Sequence, residues 1–155
     1  MQEVELNPSE MLVASSVGCM RHIAAVKAGR HDKHGAASGG WQIHIEGALG
    51  ELAVAKCLGR FWSGAINTFK DADIGTRIQV RTRSRHDYDL IVREDDGDSD
   101  LFVLVTGVAP SYRVKGWLSG KEAKNPAWLA SHGNREPAFF VPASALRPIE
   151  SIGDQ

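Results

Sequence analysis

The stretch DADIGTRIQVRTRSR, residues 71–85, decides how the chain is read. Two aspartates and a glycine lead into a run in which Ile78, Val80 and Thr82 alternate with Gln79, Arg81 and Arg83. Strand side chains point to opposite faces with period two, so one face is largely aliphatic and the other carries an amide and two guanidiniums. Asp73 joins the polar face if the turn around Gly75 spans an odd number of residues. A three-residue hairpin over 74–76 sets Asp73 opposite Arg77 on that face, whereas a two-residue turn at Gly75 and Thr76 sends it to the other.

Upstream, GALGELAVAK, residues 47–56, lies in a helical pattern spanning 41–59. Ile45, Leu49, Leu52 and Ala53 supply its apolar face, and Gly59 ends it. Glu51 sits there among small residues. A helical glycine costs about 1 kcal/mol relative to alanine, so Gly47 and Gly50 within one turn imply a close approach to the backbone. His44, Gly47 and Glu51 share a face, since seven residues make about two turns, while Glu46 lies about 140° from Glu51 and faces solvent.

The N-terminal 1–30 reads as a first helix. Asn7 caps it, Pro8 suits the first turn, Glu10 completes a capping box and Gly29 stops it. Leu12, Cys19, Ile23 and Val26 form its apolar stripe. Residues 29–40 have the glycine and serine content of a loop. After the second helix the period changes: FWSGAINTF (61–69), RIQVRTR (77–83), YDLIVRE (88–94), LFVLVTGV (101–108) and YRVKGWL (112–118) read as strands. DDGDS (95–99) marks a hairpin between two of them and VAPS (108–111) a turn. KEAKNPAWLA (121–130) reads as a short helix or two turns, AFFVP (138–142) as a short edge strand, and ESIGDQ (150–155) as a frayed tail. The expectation is a single domain over 1–155 of α+β class, with a mixed central β-sheet flanked by helices.

Composition narrows the function classes. With 155 residues, 43% of them hydrophobic and 24% charged, the chain supports one packed core. No apolar run approaches the roughly 20 residues of a membrane span. MQEVELNPSE lacks the basic-then-apolar layout of a secretory signal. Cys19 and Cys57 fit no metal or redox spacing and read as reduced thiols, which together point to the cytoplasm. A net charge of −1 argues against a polycationic, histone-like coat for nucleic acid. Yet five arginines fall between Arg77 and Arg93, and EDDGDSD follows at once, so the signs are segregated along the chain.

A helix with G-x-x-G-E, then an aspartate, then a strand with [E/Q]-x-[K/R] resembles the PD-(D/E)XK nuclease superfamily. The resemblance covers about 41–118 and is nearest to small phage-encoded nuclease-like proteins with DVG and VRT segments. It implies a restriction-endonuclease-like fold and hydrolysis of DNA phosphodiester bonds with Mg²⁺ or Mn²⁺. Carried over, Glu51 matches the helix acid, Asp73 the metal-binding aspartate, Gln79 the acidic strand position and Arg81 the lysine position. Asp73, Glu51 and Gln79 are then the metal ligands, converging on one pocket. Asp71 rivals Asp73 for that role. Gln79 brings one negative charge fewer than the family's acid. Arg81 stays protonated, so it cannot act as a base, although it can clamp a phosphate with two hydrogen bonds.

Arg83, Arg85 and Lys115 fit a phosphate track, with Tyr112 or Trp117 available for stacking, although Trp117 reads better as core. Pairing into a homodimer is common in the superfamily, and no residue pattern marks a dimer surface here. The other reading is a catalytically silent relative that binds nucleic acid or a protein through the arginine face; a structural protein merely sharing the sheet comes third. DDGDSD lacks the spacing of a calcium loop, and His31 with His34 finds no further zinc ligand. Asp87 and Asp89 flank Tyr88 and read as the start of a strand.

Overall fold

The computed structural model describes residues 1–29, 39–66 and 71–153. In chain order the elements are β1 (Gln2–Glu5), α1 (Pro8–Lys27), α2 (Gly40–Leu58), β2 (Ile78–Arg83), β3 (Leu90–Val92), β4 (Leu101–Val108), β5 (Ser111–Ser119), α3 (Gly120–Ala123), β6 (Leu129–Ala130) and β7 (Ala138–Val141). The class is α+β. Four strands form a mixed sheet in the order β1-β5-β4-β2, with β2 parallel to β4 and the other pairs antiparallel. β3, β7 and β6 make a second, antiparallel sheet.

β4 is the wall between two cores. Leu101, Val103 and Val105 pack with Ile78 and Val80 of β2 and with Leu49, Ala53 and Val54 of α2. Phe102 and Leu104 pack with Leu90 and Val92 of β3 and Phe139 and Val141 of β7. Burial on both faces explains why LFVLV reads as an unbroken apolar run rather than an alternation. The long helices therefore cover one face of the central sheet only, and the small sheet covers the other.

The cap of α1 is as expected: Asn7 accepts from the Glu10 N–H, and the Glu10 carboxylate accepts from the Asn7 N–H. Its apolar stripe is not inside. Leu12, Ile23 and Val26 are 67%, 45% and 63% exposed, and the buried residues are Ala14 and Gly18. The cause is the closeness of the helix crossing. A Cβ on Gly18 would lie 2.5 Å from the Ile45 Cα, so only a small-residue face can sit against α2, and the large side chains turn outward. A histidine pair pins the same crossing. His44 Nδ1 lies 2.9 Å from both the Gly40 carbonyl and His22 Nδ1. A carbonyl only accepts, so His44 Nδ1 carries the proton and His22 Nδ1 receives it.

Further expectations change on inspection. Residues 61–66 form no strand, and 67–69 lie outside the described residues, as do His31 and His34. DDGDS links strands of different sheets, so it is not a hairpin tip. β7 is the middle strand of its sheet, not an edge. The segment 148–152 is docked rather than frayed: Ile149 and Ile152 are buried, and Trp117 Nε1 donates to the Pro148 carbonyl and Ser151 Oγ, while 154 and 155 lie outside the described residues. β1, unforeseen, closes the far edge beside β5.

Candidate functional site

α2 lies across β2 at Gly50, where an added Cβ would come within 1.9 Å of Thr82 Oγ1. The close approach inferred from two glycines is therefore made at Gly50, while a Cβ at Gly47 meets nothing within 4 Å. The crossing places Glu51 in the packed interior, 7% exposed. Both its oxygens are engaged. Arg21 Nη1 donates to Oε1 at 2.7 Å and Nη2 to Oε2 at 3.0 Å, a fork-to-fork pair, and Trp62 Nε1 donates to Oε2 at 3.0 Å. Arg21 and Trp62 carry no sequence signal, because their roles depend on a helix pairing and a loop path that no local pattern encodes.

Asp73 occupies the open edge of β2. Ile74 and Ile78 pair antiparallel and close a three-residue loop over 75–77, which sets Asp73 across from Gln79. The odd loop length is as anticipated, with its register one residue later than the hairpin over 74–76. Asp73 Oδ2 accepts the Val80 N–H at 2.7 Å. Burial and the nearby Glu51 charge push its carboxyl up to about 7, against the pull of the Val80 N–H, Arg81 and Arg21. Two carboxylates thus share one poorly solvated region, and one of them resists ionising. Asp71 is exposed and offers Gln79 only its carbonyl, which favours Asp73 over its rival.

Asp73 opens into a pocket of about 320 Å³ whose wall includes Arg60, Phe61 and Ser63. Phe61 is 86% exposed there, an aromatic face presented to solvent beside an acid and a cation. It falls in the segment read from sequence as a strand, where it would have been an ordinary apolar position.

The strand residues are arranged differently from the expectation of one common pocket. Ile78, Val80 and Thr82 face α2, so Gln79, Arg81 and Arg83 face the second sheet. Gln79 Nε2 donates to the Asp71 carbonyl at 3.3 Å. Arg81 grips both oxygens of Asp96 at 2.9 and 3.0 Å and lies 4.9 Å over the Phe102 ring. Asp96 belongs to the acidic run after the arginines, so the segregated signs in the sequence mark a contact made in the fold. Asp73 is the meeting point, feeling Glu51 from the helix side and Arg81 from the other.

Of the proposed phosphate track, Arg85 is exposed and paired with Asp87, and Lys115 Nζ donates to the His86 carbonyl at 3.5 Å. Tyr112 does not belong to it. It is 3% exposed within the helix-side core, and burial, with Glu46 nearby, pushes its phenol up to about 12. Trp117, also buried, is core as read.

Among the described residues no three of His, Cys, Asp or Glu gather as a ligand set. Of the expected ligands, Asp73 lines the pocket, whereas both Glu51 oxygens are taken by Arg21 and Trp62 and Gln79 lies on the strand face turned away from α2. Mg²⁺ keeps several waters and is commonly held by one or two carboxylates, so Asp73 is the group that could hold it, with the Glu51 charge nearby. The raised Asp73 carboxyl fits too, because a cation there would offset the desolvation of its charge and the repulsion from Glu51. Comparisons with protein-family models, characterised proteins and solved structures found no match. No helix among the described residues is long and apolar enough to cross a membrane.

Proposed function

We propose that the chain is a metal-dependent deoxyribonuclease of the PD-(D/E)XK, restriction-endonuclease-like kind, with its centre at Asp73. The observation that carries the reading is Asp73 itself: an edge-of-sheet carboxylate, close to a buried second carboxylate, opening onto a pocket that presents Arg60 and an exposed Phe61. Bound Mg²⁺ or Mn²⁺ supplies charge neutralisation on phosphate oxygens and makes a water acidic enough to attack near neutral pH.

The chain's own groups do the rest. Asp73 would hold the cation, with the buried Glu51 charge near it. The Val80 N–H fixes Asp73 Oδ2, and Asp73 lines the pocket. Arg21 and Trp62 keep Glu51 immobile, so it contributes charge and orientation rather than a mobile base. Arg60 meets a phosphate and Phe61 stacks a base, a sequence-tolerant contact worth about 1–3 kcal/mol. Arg81 stabilises negative charge from a distance, tethered by Asp96.

That tether favours a second reading, a catalytically silent relative that binds DNA, since a guanidinium gripped by both oxygens of an acid is poorly free to clamp phosphate. Incubating linear, nicked and branched DNA with Mg²⁺ or Mn²⁺, with Asp73→Asn as control, separates the two. Metal-dependent cleavage lost in the variant supports the nuclease. Salt-sensitive binding without cleavage selects the silent binder, and no binding at all removes both.

A further inference from the structure

α1 turns its large side chains outward because Gly18 sets it hard against α2, and the face left in water is not that of an ordinary surface helix. Leu12, Val13, Met20, Ile23 and Val26 are 67%, 56%, 50%, 45% and 63% exposed. Surface helices normally carry charged and polar residues on that side. Between residues 11 and 26 the one permanent charge is Arg21, and it points inward to Glu51. Trp41, at the start of α2, prolongs the patch. It is 51% exposed, and its ring centroid lies 4.3 Å from that of His22, one turn before Val26.

The spacing is that of a helix-pairing seam. Leu12, Ser16, Cys19, Ile23 and Val26 recur at alternating intervals of four and three, flanked by Val13 and Met20. The middle of the seam is small and its ends are large. Ser16 can be covered without leaving an orphan donor, since its hydroxyl already donates to the Leu12 carbonyl at 2.7 Å. Such a seam complements itself when a second copy is turned about a two-fold axis. Run antiparallel, Leu12 packs on Ile23 of the second copy, Ser16 on its Cys19 and Val13 beside its Met20, and the symmetry repeats each contact. Run parallel, the two Lys27 ammoniums would meet at the flanking position, and antiparallel pairing keeps them at opposite ends.

The area suits a second copy too. Fully burying an aliphatic side chain covers roughly 60–120 Å², and an aromatic one roughly 150–250 Å². At the exposures above, the five α1 side chains and Trp41 offer roughly 350 Å² of apolar surface per copy. With the polar share of a typical interface the pair covers roughly 1,200 Å² in total, above the about 1,000 Å² that a specific contact needs.

We propose that the outer face of α1 is a homodimer interface, in which two copies pair antiparallel about a two-fold axis at the middle of the helix. This goes beyond the nuclease reading and does not depend on it.

The test is sedimentation of the full chain from about 1 to 200 μM, a range that brackets the micromolar affinity expected of so small an interface. A species of twice the chain mass should form within it. Leu12→Glu and Ile23→Lys each put a charge into the seam at a well-exposed side chain. Each weakens self-association at least about tenfold and leaves the melting temperature in dilute solution near the parent's. Mixing the two variants fixes the geometry. In an antiparallel pair the introduced acid faces the introduced amine, and the other layer keeps its native Leu12 and Ile23. The mixture therefore recovers association to within about threefold of the parent, which a parallel pair cannot do. A short bismaleimide reads the parent directly, joining Cys19 to Cys19 of the second copy; the product persists in Cys57→Ser and vanishes in Cys19→Ser. A parent that stays monomeric at about 200 μM overturns the proposal and gives the face to a different partner. Folded variants that dimerise like the parent, a mixture that stays monomeric, or cross-linking that survives Cys19→Ser overturn it equally.

Discussion

Replacing Asp73 by Asn should make the protein more stable at pH 8, and by a calculable amount. In the native state the Asp73 carboxyl is pushed up to about 7 from an ordinary 3.8 by burial first and by Glu51 second. Between those values the native state holds a proton that the unfolded chain has released, so stability falls as pH rises, and the loss is complete above pH 7. Each unit is about 1.4 kcal/mol, and 7 minus 3.8 is 3.2 units, so the full penalty is on the order of 4 kcal/mol. Part of the residue remains open to solvent, which screens the charge, and about 2–4 kcal/mol is the expected gain. Asn keeps an oxygen for the Val80 N–H and removes the charge. Urea unfolding of both proteins at pH 4 and pH 8 is the assay, read as midpoint shifts at unchanged slope. The two should agree near pH 4 and diverge toward pH 8 with the variant ahead. A variant that is equal or weaker at pH 8 refutes the claim that this carboxylate is confined against its own ionisation. Millimolar Mg²⁺ should close the gap by stabilising the parent alone; an equal shift in both would place the cation elsewhere.

Gly50→Ala forces a Cβ toward Thr82 Oγ1 and should cost about 1–3 kcal/mol by thermal unfolding, whereas Thr82→Val removes a buried hydroxyl without a partner and should gain about 1 kcal/mol. Arg21→Met strands Glu51 in the interior and should destabilise by about 3 kcal/mol, most of it recovered in Arg21→Met with Glu51→Leu. Burial holds the His44 imidazole below its usual range, so the helix crossing loses stability as pH falls below about 6.5, and His44→Gln should flatten that limb. Phe61→Ala should weaken single-strand binding by about 1–3 kcal/mol with no change in melting temperature.

What could be read from the sequence follows from what local pattern encodes. The capping box of α1, the stop at Gly59, the alternation of β2 and the turn at Gly75 are short-range facts, and they hold. The inside of α1 is not one, because it depends on how closely α2 approaches at Gly18, and hydrophobicity alone points the wrong way. Asp73 was visible through its spacing to β2, but its coupling to Glu51 needed the helix crossing at Gly50. Arg81 shows the limit most clearly: alternation placed it on the right face, and only the return of the acidic run brings Asp96 to it. Phe61, in a stretch with strand composition and no partner strand, carried no pattern that could single it out.

β2 is a terminal strand, and such strands invite a stranger to pair with their free amides. Here the flanking 73–74 segment occupies the Ile78 backbone and one aspartate oxygen plugs the amide at residue 80. The residue nominated for chemistry is thus also a stopper against intermolecular strand addition. An alanine there would unplug the edge as well as remove the proposed ligand, and the resulting aggregates would be mistaken for a loss of the proposed activity. The isosteric amide is the control that keeps the two consequences apart.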